Sequence, residues 1–473
     1  MGALLDLGYL LGTVVLSPWI VYRLTVSRGW HELAARAGLK LGAPLEGSIW
    51  LHGSSAGEVS LLRPLIARLE RELPATPLLL STFTSTGLEA ARKLYPRHRV
   101  TPFPLDLSFV VRRFLRRYRP RLVVIVESEL WPNFIRAARR SGVPVIVVNG
   151  KMSAKSHRLY ARTRLIPRVL RELTALGVQT EEHAERYRSL GVASERIRVT
   201  GNMKYDLPLP RADDQRTRVL RAALGYADGT VVVIGGSLHA GEDETLLDAC
   251  RGVDPRGERC ALILVPRYPS DAEVFEQHAV ERGLKPVRKT AVDAGREQPP
   301  GRRGVLIVDT IGELGALYGA ADVAFVGGSL FYRGSNKGGH NLMEPAVLGV
   351  PVLFGPYNFS FKETVDDLLR ADAGRLVRDG RELERALAEL VASPDARRAL
   401  GERGRQVVLR GQGATERNFA LLTAALRRDA DACSASALNA QCREHPAVQS
   451  SLRPAEPTSP SPGPPSRPPA HER

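Results

Sequence analysis

Short apolar runs alternate with polar turns and helical patterns along most of this chain. The first series of runs has the length and residue types of buried parallel strands, and it occupies residues 49–52, 78–80, 122–126, 143–148, 175–178 and 197–200. Helical patterns follow several of these runs. Because strands that alternate with helices pair in parallel and are covered on both faces, this series predicts a doubly wound α/β domain.

A second series follows the Leu-Pro-Leu-Pro segment at residues 207–210, which is the best linker candidate of the chain. Its apolar runs occupy residues 231–234, 261–265, 305–308 and 323–326. A further strand begins after Pro351, and the last helical pattern covers residues 414–427. We therefore predict two doubly wound, Rossmann-like domains, residues 29–207 and 208–428, which face each other across a ligand-binding cleft.

The two ends of the chain depart from this rhythm. Residues 7–26 are apolar over about the length that spans a bilayer, and basic residues follow them but do not precede them. The positive-inside bias then predicts a membrane anchor in residues 1–28, with the rest of the protein in the cytoplasm. Pro18 and Arg23 interrupt the segment and leave open that it lies within one leaflet. Residues 429–473 are rich in Pro and Ser and predict a disordered tail.

The charge of the chain indicates an anionic partner. Its 473 residues carry a formal net charge of +16, which suits an anionic membrane face or a phosphorylated substrate. The basic residues are spread over helical faces, as on an ordinary solvated surface, and zinc-finger, RNP and basic-zipper patterns are missing, so we do not expect nucleic acid as a partner. The four cysteines lack metal-ligand spacing, and there is no P-loop, so the sequence gives no reason to expect a metal or ATP.

A glycine turn after the run at 323–326 is the first candidate for chemistry. Gly328 and Ser329 permit a tight turn that brings backbone N–H groups close to a ligand, and Glu344 follows in a helix predicted over residues 342–348. The N–H groups would suit a phosphate and the carboxylate would suit ribose hydroxyls, which predicts a nucleotide pocket. Glycines that only connect the elements of an α/β domain give the same pattern.

Three charged residues are candidates on the cleft. Glu58 lies at a strand-to-helix turn, where it suits a general base, although a glutamate there also favours the helix dipole. Glu127 directly follows a buried strand, where a charge is costly unless it is paired, for example with an arginine. Lys204 lies in the inter-domain segment, where it either offsets negative charge in the cleft or is an ordinary surface lysine.

Two further positions lie at strand ends of the second domain. Arg267 follows Pro266 at the end of a predicted strand, where a guanidinium is placed to bind a phosphate with two parallel hydrogen bonds. Glu313 follows Gly312, which permits close backbone approach, and it is either a ligand or the capping-box partner of Thr310.

Taken together, seven stretches in this order resemble the family of 3-deoxy-D-manno-octulosonic acid (Kdo) transferases of lipopolysaccharide assembly. They are HGSSAGEV (52–59), STFTSTG (81–87), VESELWPN (126–133), VTGNMKYD (199–206), LVPRYP (264–269), DTIGELGALYGAADVAFVGGSL (309–330) and GGHNLMEPAVLGVPVLFGP (338–356). The resemblance implies a GT-B fold and an inner-membrane enzyme with its catalytic domains on the cytoplasmic side. It also implies CMP-Kdo as donor, a lipid A precursor (lipid IVA) as acceptor, and inversion without a metal or cofactor.

The resemblance also assigns roles to individual residues. It implies that Glu58 is the proton acceptor and that Glu127 and Lys204 stabilise the transition state. The segments that it implies for CMP binding are Pro266 and Arg267; Ile311, Gly312 and Glu313; and Asn341, Leu342, Met343 and Glu344. Tyr268 departs from the histidine that is usual in the family, Leu342-Met343 departs from a common Pro-Leu, and the loop 331–337 is longer than expected.

Two other interpretations fit the same patterns. One is another GT-B enzyme, either a transferase with a different nucleotide sugar or a nucleotide-sugar epimerase, which a preference for UDP or GDP over CMP would reveal. The other is a basic membrane-surface binding protein that has kept the fold without activity. The joint presence of Glu58, Glu127, Lys204 and Arg267 argues against this second interpretation.

Overall fold

The computed structural model describes residue 6 and residues 30–226, 229–302, 304–334 and 338–428. The predicted anchor at residues 7–26 and the predicted tail at residues 429–473 lie outside these described residues, as do residues 335–337 of the long loop. Among the helices of the described residues, none combines the length and the apolar character needed to cross a membrane.

The first domain is built on a parallel sheet, which over the described residues has seven strands in the order β3-β2-β1-β4-β5-β6-β7. Its strands are β1 (Ile49–His52), β2 (Leu78–Thr82), β3 (Arg99–Pro102), β4 (Leu122–Val126), β5 (Val145–Gly150), β6 (Ala175–Val178) and β7 (Ile197–Val199). Its helices are α1 (Trp30–Arg36), α2 (Ala56–Leu61), α3 (Arg63–Glu72), α4 (Ser85–Leu94), α5 (Ser108–Tyr118), α6 (Pro132–Arg140), α7 (Ala154–Ala161), α8 (Leu165–Leu170) and α9 (Glu181–Ser189).

Both faces of this sheet are covered, which explains why its central strands are continuous apolar runs. Successive side chains of a strand point to opposite faces. Accordingly Trp50 and Val123 belong to one core cluster, and their neighbours Leu51 and Val124 belong to the other.

The second domain repeats the plan with a parallel sheet of seven strands over the described residues, in the order β10-β11-β9-β8-β12-β13-β14. Its strands are β8 (Val231–Leu238), β9 (Cys260–Pro266), β10 (Lys285–Arg288), β11 (Gly304–Ile307), β12 (Val323–Val326), β13 (Val352–Phe354) and β14 (Arg375–Leu376). Its helices are α10 (Asp214–Ala223), α11 (Glu242–Val253), α12 (Ala272–Glu281), α13 (Lys289–Asp293), α14 (Leu314–Ala320), α15 (Met343–Val347), α16 (Lys362–Arg370), α17 (Gly380–Ala392) and α18 (Pro394–Gly411). The prediction of two doubly wound α/β domains is confirmed.

The chain crosses from one domain to the other twice. A short 3-10 helix, Met203–Asp206, leads out of the first domain. The last described helix, residues 414–428, returns, and its Leu422 and Leu426 join a core cluster of the first sheet. Asp206 fastens this return, because its carboxylate accepts hydrogen bonds from the backbone N–H groups of Gly413 at 2.7 Å and Thr415 at 2.5 Å.

The strand orders reverse direction at one point in each sheet, between β1 and β4 in the first and between β8 and β12 in the second. In open parallel sheets, ligands bind in the crevice outside the carboxyl ends of the strands at such switch points. The segments that directly follow these four strands hold Glu58, in the first turn of α2, and Glu127, His239 and Gly328 in loops.

Candidate active site

Glu58 lies in the first turn of α2, directly after the loop that leaves β1. Ser55 caps this helix: its hydroxyl accepts a hydrogen bond from the Glu58 backbone N–H at 3.3 Å and lies 3.0 Å from Glu58 Oε1. The Ser54 backbone N–H donates to Glu58 Oε2 at 2.8 Å. Space beside Gly53 is limited, because a Cβ on it would come within 3.2 Å of the Glu58 backbone. The Ser55–Glu58 pair resembles a capping box, and it also fixes where the carboxylate points.

The carboxyl of Glu58 has an environment suited to proton exchange near neutral pH. Burial raises its pKa to about 7, the negative charges of Glu127 and Glu129 act in the same direction, and the hydrogen bond from Ser54 opposes them. Burial and Glu127 also raise the pKa of Glu129. A base is most effective when its pKa lies near the working pH, so Glu58 combines position and ionisation as a general base requires.

Glu127 is held by an unusual backbone and by a lysine. It has a φ of 61°, which is uncommon for a residue other than glycine, and its N–H donates to Val148 O at 2.9 Å. Its carboxylate pairs with Lys151 Nζ at 2.9 Å. The charge after the buried strand is therefore compensated as expected, but by a lysine from the end of β5 and not by an arginine.

Lys204 reaches from the first domain to the second. Its Nζ donates to Ser360 O at 3.0 Å and lies 3.7 Å from Glu363 Oε2, while Lys151 Nζ lies 3.7 Å from Glu363 Oε1. Glu58, Glu127 and Lys204, which the sequence singled out separately, thus surround one cleft together with Lys151 and Glu363. The sequence analysis missed these last two residues, although Lys151 stands at the carboxyl end of β5 in the same way as the other candidates.

The glycine turn after β12 is organised by a buried carboxylate. Glu242, which is 1% exposed, accepts hydrogen bonds from the backbone N–H groups of Gly328 at 2.7 Å, Ser329 at 2.9 Å and Leu330 at 2.9 Å. The expectation that the N–H groups of Gly328 and Ser329 are free to meet a phosphate is therefore wrong. A glutamate 86 residues earlier in the chain saturates them, and no local pattern indicated that pairing.

A cluster of basic side chains lies beside this turn, at the carboxyl ends of β8 and β9. Arg333 Nη1 lies 2.9 Å from His239 Nδ1, and His239 Nε2 lies 3.0 Å from Nε2 of His340. A guanidinium only donates, so neutral His239 accepts at Nδ1 and offers its Nε2 proton to His340. Burial lowers the pKa of His340 to about 4, with His239, Arg267 and Arg333 acting in the same direction. The exposed Arg267 follows Pro266, the last residue of β9, and its guanidinium lies over the Tyr268 ring at 5.6 Å. The positive charges of Arg267 and Arg333 in this cluster suit an anion.

The segment from Asn341 to Glu344 offers polar groups from the start of α15. Asn341 Nδ2 donates to Glu344 Oε1 at 3.0 Å, and its Oδ1 accepts from the Met343 N–H at 3.1 Å. Burial raises the pKa of Glu344. The side chains of Leu342 and Met343 are fully buried in the core beneath, so only their backbone is available for contact with a ligand.

The segment that follows β11 exposes an apolar side chain. Ile311 is 86% exposed, and Gly312 has a φ of 96°, which favours glycine. Glu313 accepts a hydrogen bond from Thr310 Oγ1 at 2.9 Å and lies 3.4 Å from Lys289 Nζ. The two residues are paired, but they form no capping box, because Glu313 itself is the N-cap residue of α14.

Three hydrogen bonds connect the two halves of the site. Lys204 Nζ donates to Ser360 O at 3.0 Å, the Ser360 N–H donates to Gly338 O at 3.1 Å, and the Gly339 N–H donates to Gly328 O at 2.7 Å. The carboxylate and lysine cluster of the first domain and the glycine turn of the second domain therefore border the same cleft.

Comparisons with known proteins agree with this architecture. The family profile described as 3-deoxy-D-manno-octulosonic-acid transferase (kdotransferase) matches residues 29–207. The 3-deoxy-D-manno-octulosonic acid transferase of Haemophilus influenzae is 31% identical over 84% of this chain and 92% of its own length. The enzyme of the same name from Bordetella pertussis is 34% identical over 85% of this chain and 94% of its own length.

Solved structures show the same fold at greater distance. A putative UDP-N-acetylglucosamine 2-epimerase from Listeria monocytogenes matches with a TM-score of 0.50 and 13% identity, over 81% of this chain and 97% of its own. At 13% identity this match supports only the two-domain GT-B-like fold. The identities of one third over most of the chain decide the family: the chain belongs to the 3-deoxy-D-manno-octulosonic acid transferases and is a glycosyltransferase.

Proposed function

We propose that this enzyme transfers Kdo from CMP-Kdo to a lipid A precursor in lipopolysaccharide assembly, with inversion and without a metal or cofactor. The observation that carries the mechanism is the position of Glu58. Its carboxyl, with a pKa raised to about 7, stands at the switch point of the first sheet and faces a second domain with a basic cluster at its own switch point.

In the proposed reaction Glu58 accepts the proton of the acceptor hydroxyl. The hydroxyl oxygen forms a bond to the anomeric carbon of Kdo, the bond from that carbon to the phosphate oxygen breaks, and CMP leaves with the electron pair. Attack from the face opposite to CMP gives inversion. The hydrogen bonds from Ser54 and Ser55 hold the carboxyl in place for this transfer.

Glu127, Lys151 and Lys204 supply charge around the reacting carbon. An anomeric carbon that loses its leaving group gains positive character, which the carboxylate of Glu127 stabilises, while the two ammonium groups offset negative charge on the donor. The contact of Lys151 with Glu127 at 2.9 Å keeps that carboxylate oriented along the cleft.

The second domain is proposed to bind the CMP part of the donor. Arg267 and Arg333 provide the positive field for the phosphate, with the neutral imidazoles of His239 and His340 beside them, and this role replaces the one first expected of the Gly328 and Ser329 N–H groups. Glu344 is available to the ribose hydroxyls, and the exposed Ile311 with Gly312 and Glu313 offers a wall for the base.

We further propose that the enzyme works at the cytoplasmic face of the inner membrane. Residues 7–26 would anchor it, and the net charge of +16 would hold it near anionic lipids and the phosphates of the acceptor. A surface pocket of the first domain, lined by Leu39, Leu41, Arg113, Arg116 and Arg117, combines apolar and basic groups in a way that suits such a surface.

Incubation of the purified protein with CMP-Kdo and lipid IVA, followed by mass spectrometry, tests the reaction. We expect products heavier by one or more Kdo residues, and NMR of the product is expected to show inversion at the anomeric carbon. Absence of any Kdo-bearing product, in a preparation that binds CMP, would contradict the proposal.

A further inference from the structure

Three charged side chains, Glu363, Lys151 and Lys204, form ion pairs between the two domains. The proposed reaction assigns no role to Glu363. Glu363, the second residue of α16, presents its two carboxylate oxygens to two lysines of the first domain, Lys151 at 3.7 Å and Lys204 at 3.7 Å. One carboxylate thus bridges the ends of two different segments, the turn after β5 and the 3-10 helix Met203–Asp206.

The charges of this group are balanced only when both domains contribute. Burial on its own would raise the pKa of Glu363, but Lys204 and Lys151 outweigh it and the pKa is lowered. Burial likewise would lower the pKa of Lys151, but the carboxylates of Glu127, Glu363 and Glu58 raise it. Loss of the Glu363 charge would leave Lys151 paired with Glu127 and would take the Glu363 carboxylate away from Lys204 in a partly desolvated cleft.

The surrounding contacts fix the same two elements against each other. Lys204 Nζ lies 5.5 Å from the centre of the Phe361 ring and donates to Ser360 O at 3.0 Å. One turn further along α16, Asp367 Oδ2 accepts a hydrogen bond from the Tyr205 hydroxyl at 2.7 Å. The start of α16 therefore lies along the 3-10 helix that holds Lys204.

We infer that Glu363 is a positioning residue, through which the second domain sets Lys151 and Lys204 against Glu127 and Glu58. The inference rests on the proposed function, and it adds Glu363 to the residues that position the reacting groups. Glu363 acts through the lysines: it holds their ammonium groups in the cleft, and Lys151 in turn holds Glu127.

The variant Glu363→Gln keeps the shape of the side chain and removes its charge. We expect kcat to fall on the order of 10- to 100-fold, because misplacement of reacting groups by about 1 Å has effects of that size. The Kd for CMP is expected to stay within about twofold and the Tm to stay close to that of the wild type, since long ion pairs that are partly exposed to solvent contribute little to stability. A merely structural role would instead lower the Tm and weaken CMP binding together with kcat.

Glu382→Gln is the matched control. Glu382 is also a glutamate in the first turn of a helix of the second domain, α17, and it pairs with Arg378 on the surface. This variant is expected to keep the kcat of the wild type. Lys151→Met is expected to lower kcat, and the double variant Lys151→Met/Glu363→Gln should lose less than the product of the two single losses, because the residues act as one unit.

Hydrogen exchange of the ligand-free protein gives a readout that needs no turnover. We expect Glu363→Gln to speed exchange of the backbone amides at residues 203–206 and 358–363, and Glu382→Gln to leave them unchanged. Wild-type protein that makes no Kdo product would contradict the proposed function and leave the exchange result to decide the inference. Active wild-type protein with an equally active Glu363→Gln variant, or exchange that is the same in both, would overturn the inference.

Discussion

At the scale of single residues, the pKa of Glu58 is set by its surroundings more than by its position in the chain. The sequence indicated a glutamate at a helix start, which is compatible with a general base or with a simple capping role. The hydrogen bonds between Ser55 and Glu58 are compatible with both roles, because Ser55 caps the helix and also holds the Glu58 carboxyl in place. Its raised pKa depends on burial, Glu127 and Glu129, and that combination arises only when β1 and β4 lie side by side.

The pH dependence of kcat/KM follows from this environment. A base with a pKa of about 7 is protonated and inactive below that pH, so we expect kcat/KM to rise with pH and to level off above about pH 7. Glu129→Gln removes a negative neighbour that raises the Glu58 pKa, and this variant should move the rise to lower pH. A rise that stays in place in Glu129→Gln, or a profile without a rise near pH 7, would contradict this assignment.

At the scale of elements, the sequence predicted the interior strands of both sheets but missed three strands at the sheet edges. The missed strands β3, β10 and β14 begin with Arg99, Lys285 and Arg375. Strands at the edge of a sheet are less buried, so they lack the continuous apolar run that marks a central strand. The helix predicted over residues 342–348 is present as α15, Met343–Val347.

The turn between β12 and α15 shows what the sequence could not indicate. Gly328 predicted the tight turn correctly, and its φ of 69° favours glycine. The partner of its N–H group is Glu242, at the start of α11, and a pairing across 86 residues depends on the fold as a whole. The roles of Arg267, Glu313 and Glu344 in CMP binding stay predictions, with their positions now defined.

Removal of the Glu242 carboxylate should destabilise this turn. Glu242→Ala leaves the N–H groups of Gly328, Ser329 and Leu330 buried without a partner, at about 1–3 kcal/mol for each. We expect a loss of several kcal/mol in the free energy of unfolding, measured in urea, and weaker binding of CMP. Glu244→Ala, on the same helix but with a 42% exposed side chain paired with Arg282, should change both quantities little. Equal losses in the two variants would contradict this role.

At the scale of the whole molecule, two similar domains border one cleft, and we propose that the first supplies the base and the second holds the donor. The repeated strand–helix rhythm predicted both sheets, and the boundary predicted at the linker near residue 207 stays a prediction. The return of residues 414–428 to the first domain was not expected, because a helical pattern says which face is apolar but not which sheet it covers. This return ties the domains together beside the site.

The proposed donor-binding role of the second domain predicts which nucleotides stabilise the protein. If the second domain binds CMP-Kdo, then CMP should raise the Tm at concentrations where UDP and GDP do not, because a ligand stabilises the native state according to its affinity. A thermal-shift series with the three nucleotides at equal concentration measures this preference. A larger shift with UDP or GDP would favour a different nucleotide sugar as donor.

We propose that Glu58 of the first domain acts on a donor that the second domain holds. Single-turnover transfer by Glu58→Gln, with CMP-Kdo and lipid IVA and with CMP binding measured on the same preparation, tests it most directly. We predict a rate lower by about 10²- to 10⁴-fold, the usual contribution of a general base, with CMP affinity unchanged. Transfer at the wild-type rate by this variant would contradict the account.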